Sequence, residues 1–239
     1  MNTFFDPVNN TAAVEQLNKE LAKDGGRTVL ISGCIDTQKV HISSAIASGY
    51  KYMLIVTSDE AKARKMCDDA SFFNKEAIYY PAKDAIFYSA DVHGNQITGE
   101  RLRCISRIIN HSSTGEGVLT VVTTMDGIAD RLIPVERFKE AVITLDYSSE
   151  IEPEKLAKKL VAMGFVRTGM VEDKGQFAIR GGIIDIFSYT DEAPVRIELW
   201  DTEVDSIRMF DVESQRSIER LQSYSIFPAT EYIFTEDEL

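Results

Sequence analysis

Between positions 33 and 40 the chain reads G-C-I-D-T-Q-K-V, residue types and a spacing that suit phosphate chemistry. An apolar stretch at 28–31 (T-V-L-I) precedes it and reads as a buried strand, and a helical pattern follows at 40–47. The Walker A loop, G-x-x-x-x-G-K-[ST], occupies such a strand-to-helix junction: its amides cradle phosphates and its hydroxyl ligates magnesium. Gly33 and Lys39 fall in register with that pattern, but Gln38 stands at the second glycine and Val40 at the hydroxyl position. A Cβ at position 38 disfavours the positive-φ backbone of the cradle, and valine offers a metal no oxygen. ATP hydrolysis is therefore not expected here. These residues alone leave two readings open, a decayed phosphate loop and a chance match of one glycine and one lysine.

No second constellation rescues an enzyme. Cys34, Cys67 and Cys104 are odd in number and far apart, without metal-ligand spacing, and are expected to be reduced structural thiols. His41, His93 and His111 form no ligand set. After the apolar run 118–122 come Thr123, Thr124 and Met125 before Asp126, too late to set a carboxylate beside a strand-end metal; Asp126 reads as a helix N-cap. The formal charge of −12 argues against a nucleic-acid clamp, whose affinity comes mainly from Lys and Arg on phosphates. No apolar run approaches the roughly 20 residues of a membrane span, and residues 1–7 lack the basic flank and apolar centre of a signal peptide. A cytoplasmic protein with no membrane contact is expected.

The elements that would position these residues fall into two textures. Strand-like runs at 27–32, 52–57, 77–80 and 117–123 alternate with helical patterns at 59–69, begun by Ser58, and 99–110. Such alternation predicts a mainly parallel sheet covered by helices. Beyond Phe138 the pattern changes. A strand at 141–145 and a helix at 153–163 lead into runs at 165–171, 176–180, 183–187, 195–199 and 204–210. Several of these alternate apolar and polar residues, as V-R-I-E-L does at 195–199, which predicts an antiparallel sheet with one wet face. The expected fold class is α/β: a degenerate P-loop (RecA-like) parallel-sheet domain at 1–137 and a small α+β antiparallel-sheet domain at 138–217. A tail at 218–239 is read as the start of a return into the first domain, and the chain as a piece of something longer.

The second texture carries a resemblance. The run G-Q-F-A-I-R-G-G-I-I-D-I-F at 175–187 resembles a signature shared by the nucleotide-excision-repair protein UvrB and the transcription-repair coupling factor Mfd. V-R-I-E-L-W-D-T-E-V-D-S-I-R at 195–208 continues it, and F-D-V-E-S-Q-R-S at 210–217 is similar to Mfd in particular. Upstream, Y-P-A-K-D at 80–84, Arg101-Leu102 and 121–126 resemble the UvrB-like N-terminal module of the same family, as does 221–229, so the likeness spans nearly the whole chain. That module has a decayed nucleotide site, in keeping with Gln38 and Val40. UvrB also has a long aromatic hairpin that grips damaged DNA; the 80–101 segment looks too short for one, and Phe87, Tyr88 and His93 read as packing.

The resemblance implies a recruiting role, in which the small second domain binds UvrA. RNA polymerase and DNA would be engaged by later domains of the longer protein, and ATP and Mg would serve only its motor part. This chain would need no cofactor. Its partner-binding candidates are Arg180, Arg167 and Phe187. The position matching Arg180 contributes to UvrA binding in the family, and a guanidinium suits a bidentate contact with a carboxylate. Each has a plainer reading: an internal ion pair of Arg180 with Asp185 or Asp201, a solvated strand face for Arg167, core packing for Phe187. Arg196 and Arg208 are expected on the wet face. Two other functions stand beside this one: a nucleotide-dependent UvrB-like helicase module acting on damaged DNA through Lys39, and an α/β interaction domain unrelated to repair.

Overall fold

A computed structural model describes residues 4–23, 27–75, 77–83, 92–115 and 117–233. Phe87 and Tyr88 lie outside the described residues, as does the side chain of His93. In chain order the elements are α1 (Asp6–Asn9), α2 (Ala12–Leu21), α3 (Asp36–Ala47), β1 (Tyr52–Thr57), α4 (Glu60–Phe73), β2 (Ala77–Tyr80), α5 (Val92–Thr114), β3 (Leu119–Thr124) and α6 (Met125–Ala129). They continue with α7 (Val135–Glu140), β4 (Ile143–Asp146), α8 (Pro153–Ala162), β5 (Val166–Arg167), β6 (Gln176–Arg180), β7 (Ile183–Phe187), β8 (Val195–Trp200), β9 (Glu203–Phe210), β10 (Ser217–Arg220) and β11 (Ser223–Ile226). The chain divides into two compact units, one of Met1–Ala85 with Asn110–Asp130, the other of Ile86–Ile109 with Arg131–Leu239.

The first unit holds a parallel sheet of order β1-β3-β2, with β3 central and largely buried. Its core joins Val40 of α3 to Ala63, Met66, Cys67 and Ala70 of α4 and Val122 of β3, apolar positions repeating at helical spacing. Asp59 caps α4 by accepting from the Lys62 amide at 2.9 Å, so the cap falls one residue after the expected Ser58. Thr124, whose hydroxyl accepts from the Gly127 amide at 3.1 Å, caps α6 in place of the expected Asp126. The strand expected at 27–32 does not form. Val29, Leu30 and Ile31 are 44%, 89% and 39% exposed, and no described strand neighbours β1 on the side away from β3. An apolar run alone does not secure a strand; it needs a ladder to join.

The second unit is built on a six-stranded sheet, β10-β9-β8-β7-β6-β5, antiparallel except for the β5–β6 pair. Period-two alternation sends Phe177, Ile184, Ile186, Ile197 and Ile207 to one face, where Leu156, Ala157 and Leu160 of α8 complete the core. The described residues beyond 217 contribute strands to this unit. β10 pairs with β9, and β11 pairs with β4 over four residues, with Tyr224 and Ile226 in the main core. Their alternation, polar Ser223 and Ser225 outward, is too short to stand out in the sequence.

Two devices fasten α5 within this unit. Tyr189 lies between Gly99 and Gly175: a Cβ on either glycine would come within 2.9 Å of its ring, so neither position accepts a side chain without displacing it. Arg101 is fully buried and forks onto Glu231, Nε to Oε1 at 2.5 Å and Nη2 to Oε2 at 3.0 Å. Removing one partner of such a pair strands a desolvated charge. Arg101→Met is therefore expected to lower unfolding free energy by about 3–5 kcal/mol in denaturant melts, and adding Glu231→Gln to cost less than the sum of the two single changes. Cys67 and Cys104 are buried, and burial pushes the Cys67 thiol up to about 11, whereas Cys34 is partly exposed. Maleimide at neutral pH should label Cys34 on the native chain and reach the other two only after denaturation.

Candidate partner-binding site

The nucleotide loop and the arginine-bearing sheet are the two places where the sequence puts chemistry. At the loop, Gly33 has φ +78°, and α3 begins three residues on. The side chain of Gln38 folds back so that its Oε1 accepts from the Ile35 amide at 3.1 Å. Ile35 has no acceptor with which to reciprocate, so this is half a capping box. The glutamine thus takes an amide at the helix start that a phosphate would otherwise seek. Lys39 donates to Asp36 at 2.9 Å, and that contact holds the Asp36 carboxyl below its ordinary range. Val40 is fully buried in the core of the first unit, an apolar contact where a metal-ligating hydroxyl would sit.

The sheet of the second unit has a face opposite α8, and its register places side chains there in rows. Ala178, Asp185, Arg196 and Arg208 face one another across β6, β7, β8 and β9, and Arg220 of β10 extends the row. Asp185 is 1% exposed. Arg196 forks onto it, Nε to Oδ1 at 2.7 Å and Nη2 to Oδ2 at 2.9 Å. The hydrogen bonds to Asp185 raise the Arg196 pKa further above its ordinary value. Arg196 also donates to Gln215 Oε1 at 2.7 Å and lies over the Phe210 ring at 4.3 Å, which ties the 211–216 turn onto the sheet.

Arg180 reaches the same carboxylate diagonally from β6, Nη2 to Oδ2 at 2.6 Å, and donates Nη1 to the Gly169 carbonyl at 3.0 Å. Its side chain remains 41% exposed. The internal ion pair and the exposed guanidinium, alternatives in the sequence, coexist: Asp185 aims Arg180 outward. One row along, Glu198 pairs with Arg208 and accepts from Ser206 at 2.7 Å.

Arg167 is elsewhere. On edge strand β5 it forks onto Glu154 of α8 at 3.0 and 3.3 Å, both side chains well exposed, and lowers the Glu154 carboxyl. Its cross-strand neighbour is Phe177, which points into the core on the α8 side, so Arg167 and Arg180 do not share a face. Phe187 is 8% exposed and packs with Val171, Ala178 and Val212 while Lys174 Nζ lies 5.3 Å from its ring centre. It is a packing residue, not an exposed anchor, because the 171–175 and 211–216 turns cover that end of the sheet. Arg196, expected on a wet face, has the right face but is mostly covered. Sequence alone could pair Arg180 with Asp185 only as one choice among many acids.

The segment that carries this network has a counterpart among known proteins: residues 143–232 match the family model of the UvrB interaction domain. These residues are similar to the UvrB interaction domain. The chain is 38% identical over 218 residues to the transcription-repair-coupling factor of Bacillus subtilis (strain 168), covering 90% of this chain and 18% of that protein. It is 35% identical over 219 residues to that of Staphylococcus haemolyticus (strain JCSC1435), covering 89% of this chain and 18% of that one. The chain thus spans about a fifth of these relatives' length. The matched segment of the UvrB interaction domain includes β4 to β11, so the 218–232 stretch belongs with the domain, as its strand pairing shows. Among the described residues no helix is long and apolar enough to cross a membrane.

The geometry makes the two members of the ion-pair network unequal. Asp185→Ala removes the buried charge that both arginines serve, and should lower stability by about 3 kcal/mol or more in denaturant melts. Arg180→Ala leaves the Arg196 fork on Asp185 intact and should cost about 1 kcal/mol or less.

Proposed function

We propose that this chain is a non-catalytic recruiting module of a transcription-repair-coupling factor, and that its UvrB interaction domain docks UvrA during nucleotide excision repair. The observation that carries the reading is the half-exposed Arg180 guanidinium, held outward by buried Asp185 on a domain of the UvrB interaction family. A preorganised guanidinium keeps its remaining donors for a partner's carboxylate and loses little freedom on docking. RNA polymerase contact and ATP-driven DNA translocation belong, in this reading, to other parts of the longer protein. Gln38 on the Ile35 amide, Lys39 on Asp36 and Val40 in the core support a loop that works without nucleotide or magnesium. Arg167 remains a candidate contact on the β5 edge, where only an exposed ion pair engages it.

Calorimetric titration of the chain into purified UvrA tests the reading. Saturable binding is expected, reduced at least about tenfold by Arg180→Ala with the melting transition kept, and unaffected by Lys39→Ala. Millimolar MgATP should leave the chain's melting temperature unchanged. Absence of binding by the folded wild-type chain would overturn the recruiting role.

A further inference from the structure

Away from the sheet face described above, the second unit contains a cleft of about 1060 Å³. Its walls are α5 at Gly99 and Arg103, the end of α8 at Val161, the 173–176 turn and the segment 229–232. Neither Arg180 nor Asp185 lines it, and its volume matches that of the larger small-molecule sites.

Two cations meet there. Arg103 donates Nε to the Tyr189 carbonyl at 2.9 Å, and Lys174 donates Nζ to the Asp191 carbonyl. Both are thus fastened to the same short segment, and both line the cleft. Among the described residues, neither forms an ion pair with a carboxylate. Burial, and after it the Arg103 charge, push the Lys174 ammonium below its ordinary pKa; Glu192 and Asp191 pull the other way and each does less. Like charges held side by side repel, and an anion between them removes that repulsion and accepts charge-assisted hydrogen bonds. Donors remain for one: Arg103 keeps its Nη groups, and Lys174 keeps N–H bonds beyond the one given to Asp191.

The rest of the lining suits an organic body carried by that anion. The Tyr189 ring is fixed between Gly99 and Gly175, and Tyr232 is 59% exposed. Both line the cleft, and a tyrosine offers a ligand ring an apolar face and a hydroxyl. Glu100 and Asp173 line it as well, in a chain of net charge −12. A nucleic-acid strand would meet those charges along its length, whereas one phosphate group needs only Arg103 and Lys174.

We propose that this cleft binds a small phosphate monoester, its phosphate held between Arg103 and Lys174 and its organic part lodged against Tyr189 and Tyr232. The site is separate from the decayed loop at 33–40 and from the Arg180 face. MgATP is not a ligand of this kind, because the metal takes the terminal phosphate oxygens that the two cations would hold.

Titration of AMP into the chain without magnesium, at constant ionic strength, tests the site by phosphorus NMR. A saturable shift of the AMP resonance is expected, weakened at least about tenfold by Arg103→Gln and by Lys174→Gln and unchanged by Lys39→Ala or Arg180→Ala. Tyr232→Ala, at an exposed position, should weaken AMP and leave the binding of inorganic phosphate as it was. Absence of a saturable shift with the wild-type chain would overturn the site. Wild-type affinity in both Arg103→Gln and Lys174→Gln would overturn its placement between the two cations. Inorganic phosphate binding as tightly as AMP would overturn the part given to the tyrosines. Tighter, competing binding of a single-stranded oligonucleotide would overturn the small-ligand assignment in favour of a nucleic-acid contact.

Discussion

Asp185 lies on a β-strand with 1% of its surface exposed, and an ionised carboxylate in that position is tolerable only if it is paired and hydrogen-bonded. Arg196 supplies both bonds of a fork, and Arg180 adds a third from the neighbouring strand. The consequences spread outward from that carboxylate. Arg196 is pulled across the sheet, so that its free edge gathers Gln215 and its plane covers Phe210. The 211–216 turn is thereby held down over one end of the sheet. Arg180 keeps a fixed posture at the open end. A neutral residue at position 185 would leave both guanidiniums seeking other partners, and the outer face would lose its organisation before the α8-packed core lost any contact.

The same logic, inverted, accounts for the first unit. A phosphate-binding loop works by leaving amides and a hydroxyl unsatisfied until the ligand arrives. Here one such amide has an internal partner, and an apolar side chain stands at the hydroxyl position. Gln38 occupies the Ile35 amide, Asp36 holds Lys39, and Val40 contributes to the packing of α3 on α4. Such internal contacts give the helix start local stability.

The expectations that failed share a cause. Residues 27–32 are as apolar as a buried strand, but strand formation depends on a neighbour's free ladder edge, which no single run of sequence specifies. Phe187 and Trp200 are both aromatics at strand ends; the turns packed over the sheet bury the first to 8% and leave the second 79% exposed. One of those turns, 171–175, precedes β6, and the other, 211–216, directly follows β9. Which face each arginine takes was likewise beyond the sequence: β5 is a two-residue edge strand whose Arg167 turns toward Glu154 on α8, while Arg180 lies on the other face. The stretch from 218 to 239 reads as an irregular tail because its described strands are four residues long, too short for periodicity to declare itself.

Much of what was legible in the residues was patterned at short range. The alternation that gives an antiparallel sheet with one core face was legible, as were the loss of the second glycine and the hydroxyl in the 33–40 loop and the run at 175–187 that carries the likeness to UvrB. These depend on residue types at short fixed spacings, where physics acts within a turn or along one strand. Tertiary structure alone decided which of many acids Arg180 would meet, which aromatic would stay in water, and that Arg101 of α5 would be buried against Glu231, 130 positions away. Those outcomes turn on the cost of stranding a charge or an apolar surface, and that cost is set by whichever distant segments come to lie beside it.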